Sequence, residues 1–98
     1  VWKEVEDVKN FGDIYDRGAT AALLVPPPNR DGTRSYAIGR KSTYTDFNLP
    51  GVVRELNYRE IGWGMNYSKT VAGAPGSRQR QRSYLSQQDV AHIVKCVA

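Results

Sequence analysis

Cysteine and histidine are almost absent from this sequence, which has one residue of each among its 98. The single cysteine, Cys96, excludes a disulfide within the chain, so packing must stabilise the fold. A zinc site of the usual Cys and His type needs more such ligands than one copy of the chain provides. We therefore expect no metal ion and no cofactor, and we expect Cys96 to be a small buried residue of a helix.

Long apolar runs and nucleotide-binding glycine motifs are missing as well. The longest apolar run, 19–25, is far shorter than the roughly 20 residues that a membrane-spanning helix needs. No P-loop is present, and Gly62-Trp63-Gly64 lacks the third glycine of a dinucleotide fingerprint. No serine lies in a nucleophile-elbow context. These absences predict a soluble domain without a membrane partner and favour a binding protein over an enzyme, while the compartment and the oligomeric state stay open.

Acidic residues are scarce in the C-terminal two-thirds of the chain. Residues 1–31 carry four basic and six acidic residues, whereas residues 32–98 carry ten basic and four acidic ones. From Ile61 onward the only acidic residue is Asp89. The overall charge of +4 is therefore concentrated in the later part of the chain, and such a charge attracts polyanions by long-range steering. The partner expected on this basis is a nucleic acid, with RNA favoured, or else an acidic protein.

Length and hydrophobic spacing predict a single α+β domain over residues 1–98. A chain of 98 residues is long enough for one core. Apolar residues of 2–11 recur at helical spacing, which predicts an N-terminal helix. Ser86 is a good N-cap for a C-terminal helix with one apolar face. Between the two helices we expect a small antiparallel sheet of about three to five strands.

The clearest strands flank the proline triplet 26–28. Residues 19–25 form a continuous apolar run, and the prolines end it because they lack donors and force an extended backbone. A turn at 29–32 then allows 34–40 to return as an antiparallel partner. The sequence therefore predicts a β-hairpin here.

Strand signals farther along the chain are weaker. Residues 52–56 form a short apolar run that could be a strand. Residues 61–67 alternate apolar and polar side chains, as a half-buried strand does. On the polar face of this segment, Gly62 and Gly64 either admit the close approach of a backbone or ligand, or mark a bend.

An arginine cluster lies in residues 68–82, a segment without usable periodicity that we expect to be a mobile basic loop. Arg78, Arg80 and Arg82 alternate with glutamines, so an extended backbone would project all three on one side, about 6.6 Å apart. That spacing is comparable with the separation of successive phosphates in a nucleic-acid strand, and planar guanidinium groups suit phosphate oxygens. The alternative is a solvated polar loop.

Tyrosines in the basic part of the chain offer faces on which the bases of a single strand can stack. Most of them should belong to the core or to the sheet, because tyrosine favours strands. We therefore predict a small nucleic-acid-binding domain that prefers RNA or single strands to duplex DNA. Its expected contacts, besides the three arginines, are Lys69, Tyr67 and Tyr84.

Two alternatives from other functional classes stay open. A metal-independent ribonuclease, acting as a toxin or effector, needs a general base, a general acid and a cation, which Glu60, His92 and the arginines supply by type. The order of these residue types resembles that of small microbial ribonucleases without matching any motif, and helical spacing turns His92 toward solvent. The other alternative is an interaction subunit of a larger assembly, docked through the loop and the proline triplet.

Overall fold

The computed structural model describes residues 2–6, 10–76 and 80–98. Within these residues a five-stranded sheet carries helices on both of its faces, which confirms the predicted α+β class of a single domain. The elements in chain order are β1 (Trp2–Val5), α1 (Phe11–Asp16), β2 (Ala21–Leu24), β3 (Ala37–Arg40), α2 (Leu49–Arg59), β4 (Gly64–Met65), β5 (Val71–Gly73) and α3 (Gln87–Val97). None of these described helices has the length and apolar character needed to cross a membrane.

The sheet is mixed, with the strand order β1-β2-β3-β5-β4. The β1 and β2 strands are parallel, because α1 carries the chain back to the same end of the sheet before β2 begins. The other neighbouring strands are antiparallel. The predicted antiparallel sheet is therefore correct for four strands and wrong for the β1 edge.

The N-terminal segment also differs from its prediction. Residues 2–5 form β1, and the N-terminal helix begins only at Phe11. Asn10 caps this helix, since its side-chain oxygen accepts a hydrogen bond from the backbone N–H of Asp13 at 3.0 Å. The helical spacing of apolar residues near Trp2 was misleading because pairing with the buried strand β2 overrides a local pattern.

The predicted hairpin around the prolines is confirmed. Strands β2 and β3 pair with Leu23 opposite Ile38, and both side chains are fully buried. The turn lies where the sequence predicts it, because the backbone N–H of Gly32 donates to the carbonyl of Asn29 at 3.0 Å. Gly32 has a φ of +84°, in the left-handed region that favours glycine.

Residues 52–56 are part of helix α2, so their prediction as a strand is wrong. A five-residue apolar run is too short to distinguish a buried strand from one face of a helix. Asn48 caps the helix by accepting from the backbone N–H of Gly51 at 3.1 Å, and Pro50 lies in the first turn, where a missing N–H is tolerated. The larger side chains that α2 buries recur at helical spacing: Leu49, Val52, Val53 and Leu56.

Helix α3 matches its prediction except at Cys96. Ser86 caps it by accepting from the backbone N–H of Asp89 at 3.1 Å. Its apolar face joins the core beside α2, with Val90 fully buried. Cys96, which we expected to be buried, is exposed because it lies on the opposite face of the helix, one turn after the exposed His92.

The predicted strand over 61–67 is shorter than its pattern suggests. Only Gly64–Met65 pair with a neighbouring strand. Ile61 and Tyr67, which the alternation places with core residues, are 89% and 103% exposed. Gly62, with a φ of +116°, marks a bend before the strand begins.

Residues 68–82 were predicted as one loop, and the structure corrects this for Val71–Gly73. These three residues form β5, which lies between β3 and β4 in the sheet. So short a strand that also contains a glycine gives no detectable period in the sequence. Arg78 and its neighbours Ser77 and Gln79 lie outside the described residues, so the mobility of that part stays a prediction.

Candidate functional site

Among the described residues, no helix covers one face of the sheet over β3, β5 and β4. Helices α2 and α3 pack on the other face, around Ile38 and Ala72. On the open face, α1 covers β2 and reaches β3 at Gly39, where an added Cβ would collide with the rings of Phe11 and Tyr15. The part of this face beyond Gly39 is therefore the candidate binding surface.

A row of small residues crosses the open face. Ala37 of β3 pairs with Gly73 of β5, which in turn pairs with Gly64 of β4. Because directly paired residues point to the same face, these three form a floor of about 10 Å, the width of two strand spacings. A cavity of about 360 Å³ lies over them, and we call it the floor cavity.

Gln81 carries its carboxamide over this floor. A Cβ on Gly73 would collide with Nε2 of Gln81, so the glycine makes room for the amide. The backbone carbonyl of Gln81 accepts from Oγ of Ser35 at 2.6 Å and from Nδ2 of Asn29 at 3.4 Å. Within the described residues, the side-chain amide of Gln81 has no hydrogen-bond partner and is available to a ligand.

A second cavity, of about 350 Å³, adjoins the floor cavity and shares Gln81 with it. Arg30, Asp31, Arg80 and Arg82 are among the residues that line it. We call it the arginine cavity. Three arginines against one aspartate give its lining residues a net positive charge, which suits an anionic group such as phosphate.

The arginines of this cavity differ in their pairing. Nη1 of Arg82 lies 3.4 Å from Oδ2 of Asp31, and about half of each side chain is exposed, so solvent screens the pair. Hydrogen bonds from Thr33 lower the pKa of Asp31, and the bond from its hydroxyl has the largest effect. The charge of Arg82 lowers this pKa by a smaller amount. Arg80 is exposed, and its guanidinium has no ion-pair partner in the part of the chain that the structure describes.

Backbone bonds fix the segment that carries Arg82. The N–H of Arg82 donates to the carbonyl of Pro75 at 2.7 Å. Ser83 and Arg34 exchange two backbone hydrogen bonds, of 2.8 and 3.0 Å, in an isolated antiparallel bridge. These bonds use no guanidinium group, so they anchor the backbone without occupying the side chain of Arg82.

A third cavity, of about 390 Å³, shares Val71 with the floor cavity. Ser35, Ala37 and Arg40 line the arginine cavity, the floor cavity and the third cavity in turn, so the three cavities follow the chain from Ser35 to the end of β3, over roughly 16 Å. Arg40, Lys41 and Asp16 are among the residues that line the third cavity. Basic residues therefore line both ends of this row of cavities.

The guanidinium of Arg40 is fixed by backbone oxygens. It donates to four carbonyl groups at distances between 3.2 and 3.3 Å. Among the described residues, no carboxylate forms an ion pair with it. Its charge is therefore held in place without being neutralised.

The turn between β4 and β5 carries two predicted contacts, Tyr67 and Lys69. Oδ1 of Asn66 holds this turn by accepting from the backbone N–H groups of Thr70 and Val71, at 2.8 and 3.0 Å. Tyr67 is fully exposed, and Lys69 has a φ of +59°. Neither lines the floor cavity or the arginine cavity.

Glu60, the candidate general base, is engaged in hydrogen bonds that hold the fold together. Its Oε1 accepts from the indole N–H of Trp63 at 3.0 Å and from the hydroxyl of Ser83 at 2.6 Å. Its Oε2 accepts from the backbone N–H of Tyr84 at 2.7 Å. The carboxylate thus connects the end of α2 to the segment before α3, and the predicted contact Tyr84 projects an exposed ring from that segment.

His92, the candidate general acid, is exposed on α3 as the sequence predicts. Its Nε2 lies 3.5 Å from Sγ of Cys96. No hydrogen bond or ion pair between described residues joins His92 to Glu60 or to an arginine. Among the residues that the structure covers, no three His, Cys, Asp or Glu side chains are grouped as metal ligands.

Arg30 and Gly73 are among the residues of the site that sequence reasoning missed. Arg30 lies in the acidic first third of the chain, and only the hairpin turn brings it to Arg80 and Arg82. The role of Gly73 depends on a strand that has no sequence signal, whereas Gly64 was already noticeable on the polar face of its segment. No protein-family model, no curated protein and no solved structure matches this chain.

Proposed function

We propose that this chain is a single-stranded nucleic-acid-binding domain, with RNA favoured, whose arginine cavity contacts phosphates. The observation that carries the proposal is the grouping of Arg30, Arg80 and Arg82 around one cavity that adjoins an open sheet face. Guanidinium groups bind phosphate oxygens through charge-assisted, often bidentate hydrogen bonds. The exposed and unpaired Arg80 is available for such a contact without first losing a partner.

A polymer fits this surface better than a single small anion. Basic residues line both ends of a row of cavities roughly 16 Å long, with the uncharged floor between them. A chain with repeated phosphates can reach both ends at once. An open sheet face also suits unstacked bases, whereas duplex DNA is usually read by an element that enters its major groove.

RNA is favoured over DNA by the amide of Gln81. This amide lies between the arginine cavity and the floor cavity, and it has no hydrogen-bond partner among the described residues. A free amide can donate to, or accept from, a ribose 2′-hydroxyl, the group by which a protein distinguishes RNA from DNA.

The direct test is the binding of a labelled single-stranded RNA, measured by fluorescence anisotropy over a series of salt concentrations. Phosphate contacts release counterions, so the logarithm of the association constant should fall linearly with the logarithm of salt concentration. Two arginine contacts, with Arg82 held in part by Asp31 as the third, predict a slope between about −1.4 and −2. Absence of binding at low salt would contradict the proposal.

Arg80→Gln is the variant that locates the contact, and Arg54→Gln is its matched control. Arg54 is exposed on α2 and lines none of the three cavities, so both variants remove the same charge from the surface. We expect Arg80→Gln to weaken binding and to reduce the steepness of the salt slope by about 0.7, with Arg54→Gln close to the wild type. Equal effects of the two variants would mean that overall charge, and not the arginine cavity, controls binding.

A further inference from the structure

We infer that the floor cavity receives one unstacked base of the bound strand, an inference that rests on the proposed function. The floor cavity and the arginine cavity share Gln81 in their linings. A sugar-phosphate backbone held by the arginines therefore passes beside the floor. Its next base can turn toward the sheet without leaving the surface.

The floor has a shape that suits a base. Ala37, Gly73 and Gly64 lie side by side across three strands, and none has a side chain longer than a methyl group. The Gln81 carboxamide covers this floor at Gly73, so the peptide surface left open to a base is the part around Gly64. Of the parts of a nucleic acid, only the base is a flat ring, and it can lie in van der Waals contact with such a surface.

Gly64 supports this assignment because the fold itself does not require a glycine there. At Gly39 an added Cβ would collide with Phe11, and at Gly73 it would collide with Gln81. At Gly64 an added Cβ would meet no atom of the described residues within 4 Å. Its φ is not in the left-handed region either, and glycine weakens a strand. The missing side chain at Gly64 is thus explained by a ligand that approaches the strand closely.

A hydrogen-bonding side chain lies beside the open part of the floor. The Gln81 carboxamide offers both a donor and an acceptor above Gly73. A glutamine amide can form paired hydrogen bonds with the edge of a base, as it does with adenine. A base on the floor therefore has both a surface for its ring and a polar partner for its edge.

The inference is tested by comparing a single-stranded RNA with an abasic sugar-phosphate strand of the same length and charge. Both ligands contact the arginine cavity, but only the RNA can fill the floor cavity. We expect the wild-type protein to bind RNA about fivefold tighter than the abasic strand, at the lower end of the contribution known for base stacking. Equal affinity for the two ligands overturns the inference without any variant, whereas a preference for RNA is assigned to the floor cavity by the variant below, because exposed tyrosine rings can also stack a base.

Gly64→Leu fills the floor cavity, and Gln88→Leu is its matched control. The first variant places a leucine over the floor, and the second places one on the exposed surface of α3. We expect Gly64→Leu to reduce RNA affinity to that of the abasic strand and to leave abasic binding unchanged. Gln88→Leu should change neither affinity, and thermal melting checks that both variants are folded.

The outcomes separate this inference from the proposed function. If wild-type protein binds RNA and the abasic strand equally well, and Gly64→Leu changes neither, the arginine cavity remains a phosphate site and the base subsite is overturned. If neither ligand binds at low salt, the proposed function itself fails. If the Gly64→Leu variant is folded and binds both ligands more weakly by the same factor, the leucine acts on the arginine cavity and the base assignment is refuted.

Discussion

Replacing Asp31 with asparagine should strengthen nucleic-acid binding. Asp31 is the only carboxylate among the described residues that line the arginine cavity, and it pairs with Arg82 at 3.4 Å. A phosphate that binds Arg82 must compete with this carboxylate for the guanidinium and must also tolerate its charge. Asp31→Asn removes both obstacles and raises the net charge of the cavity by one unit.

The size of the effect follows from the geometry. A phosphate on the far side of the Arg82 guanidinium would lie about two ion-pair lengths, roughly 7 Å, from the Asp31 carboxylate. Repulsion between two unit charges at that distance in water corresponds to about a threefold change in Kd. The release of Arg82 from its pair adds a further factor of similar size, so we expect binding to become about three- to tenfold tighter at low salt.

The substitution should preserve the turn that Asp31 builds. Thr33 donates to Oδ1 of Asp31 from its backbone N–H at 3.0 Å and from its hydroxyl, and an asparagine oxygen can accept both bonds. The lowered pKa of Asp31 means that its charged form contributes stability above its usual pKa of 3.8, and that this contribution is lost as pH falls through the lowered value. At neutral pH, Asp31→Asn should therefore melt slightly below the wild type.

The assay is the same anisotropy titration, with Glu55→Gln as the control. Glu55 lies on α2 and lines none of the three cavities, so this control removes an equal charge from elsewhere. The salt slope of Asp31→Asn should steepen by up to about 0.7, because Arg82 becomes fully available to phosphate. Unchanged or weaker binding by folded Asp31→Asn, or an equal gain in Glu55→Gln, would refute the reasoning.

Two further predictions concern stability. Glu60→Ala should lower the free energy of unfolding, measured by urea denaturation, by about 3 kcal/mol, because it leaves three donors without their acceptor. Glu55→Ala is the control. A Glu60→Ala variant as stable as this control would contradict the structural role of Glu60. Burial raises the pKa of Tyr36, whose hydroxyl donates to the carbonyl of Leu85 at 2.8 Å. The neutral hydroxyl of Tyr36 therefore contributes its full stabilisation below about pH 10, and this contribution is lost as the pH rises through the raised pKa. Above pH 10, the melting temperature of Tyr36→Phe should fall less steeply with pH than that of the wild type.

Local signals in the sequence are sufficient to predict an element where its start or end depends on residues close by in the chain. The proline triplet 26–28 ends β2 and Ser86 begins α3 through contacts within a few residues, and both predictions are confirmed. The β1 strand at 2–5 forms through pairing with a distant segment, which a helical spacing of apolar residues does not reveal. The same limit applies to β5, whose three residues become a strand only between two neighbours.

In the candidate site, too, some residues can be predicted from the sequence and others only from the fold. The alternation of arginines drew attention to Arg80 and Arg82 before any fold was known. Arg30 and Gly73 could not be placed with them, because a hairpin turn and a strand pairing bring these residues to the site. Glu60 and His92 had suitable chemistry for catalysis, yet residue type does not show whether a carboxylate is already occupied.

Anchoring of the arginine-bearing segment affects how strongly it can bind. A mobile loop would lose conformational entropy on binding, at a cost of about 1–2 kcal/mol for each residue that becomes fixed. In the structure, residues 81–84 are already fixed, through the carbonyl of Gln81, the backbone bridge of Ser83 and the carboxylate of Glu60. None of these bonds involves a guanidinium group. The backbone of residues 81–84 is therefore ordered before the ligand arrives, and at Arg82 only the side chain remains to be ordered by phosphate.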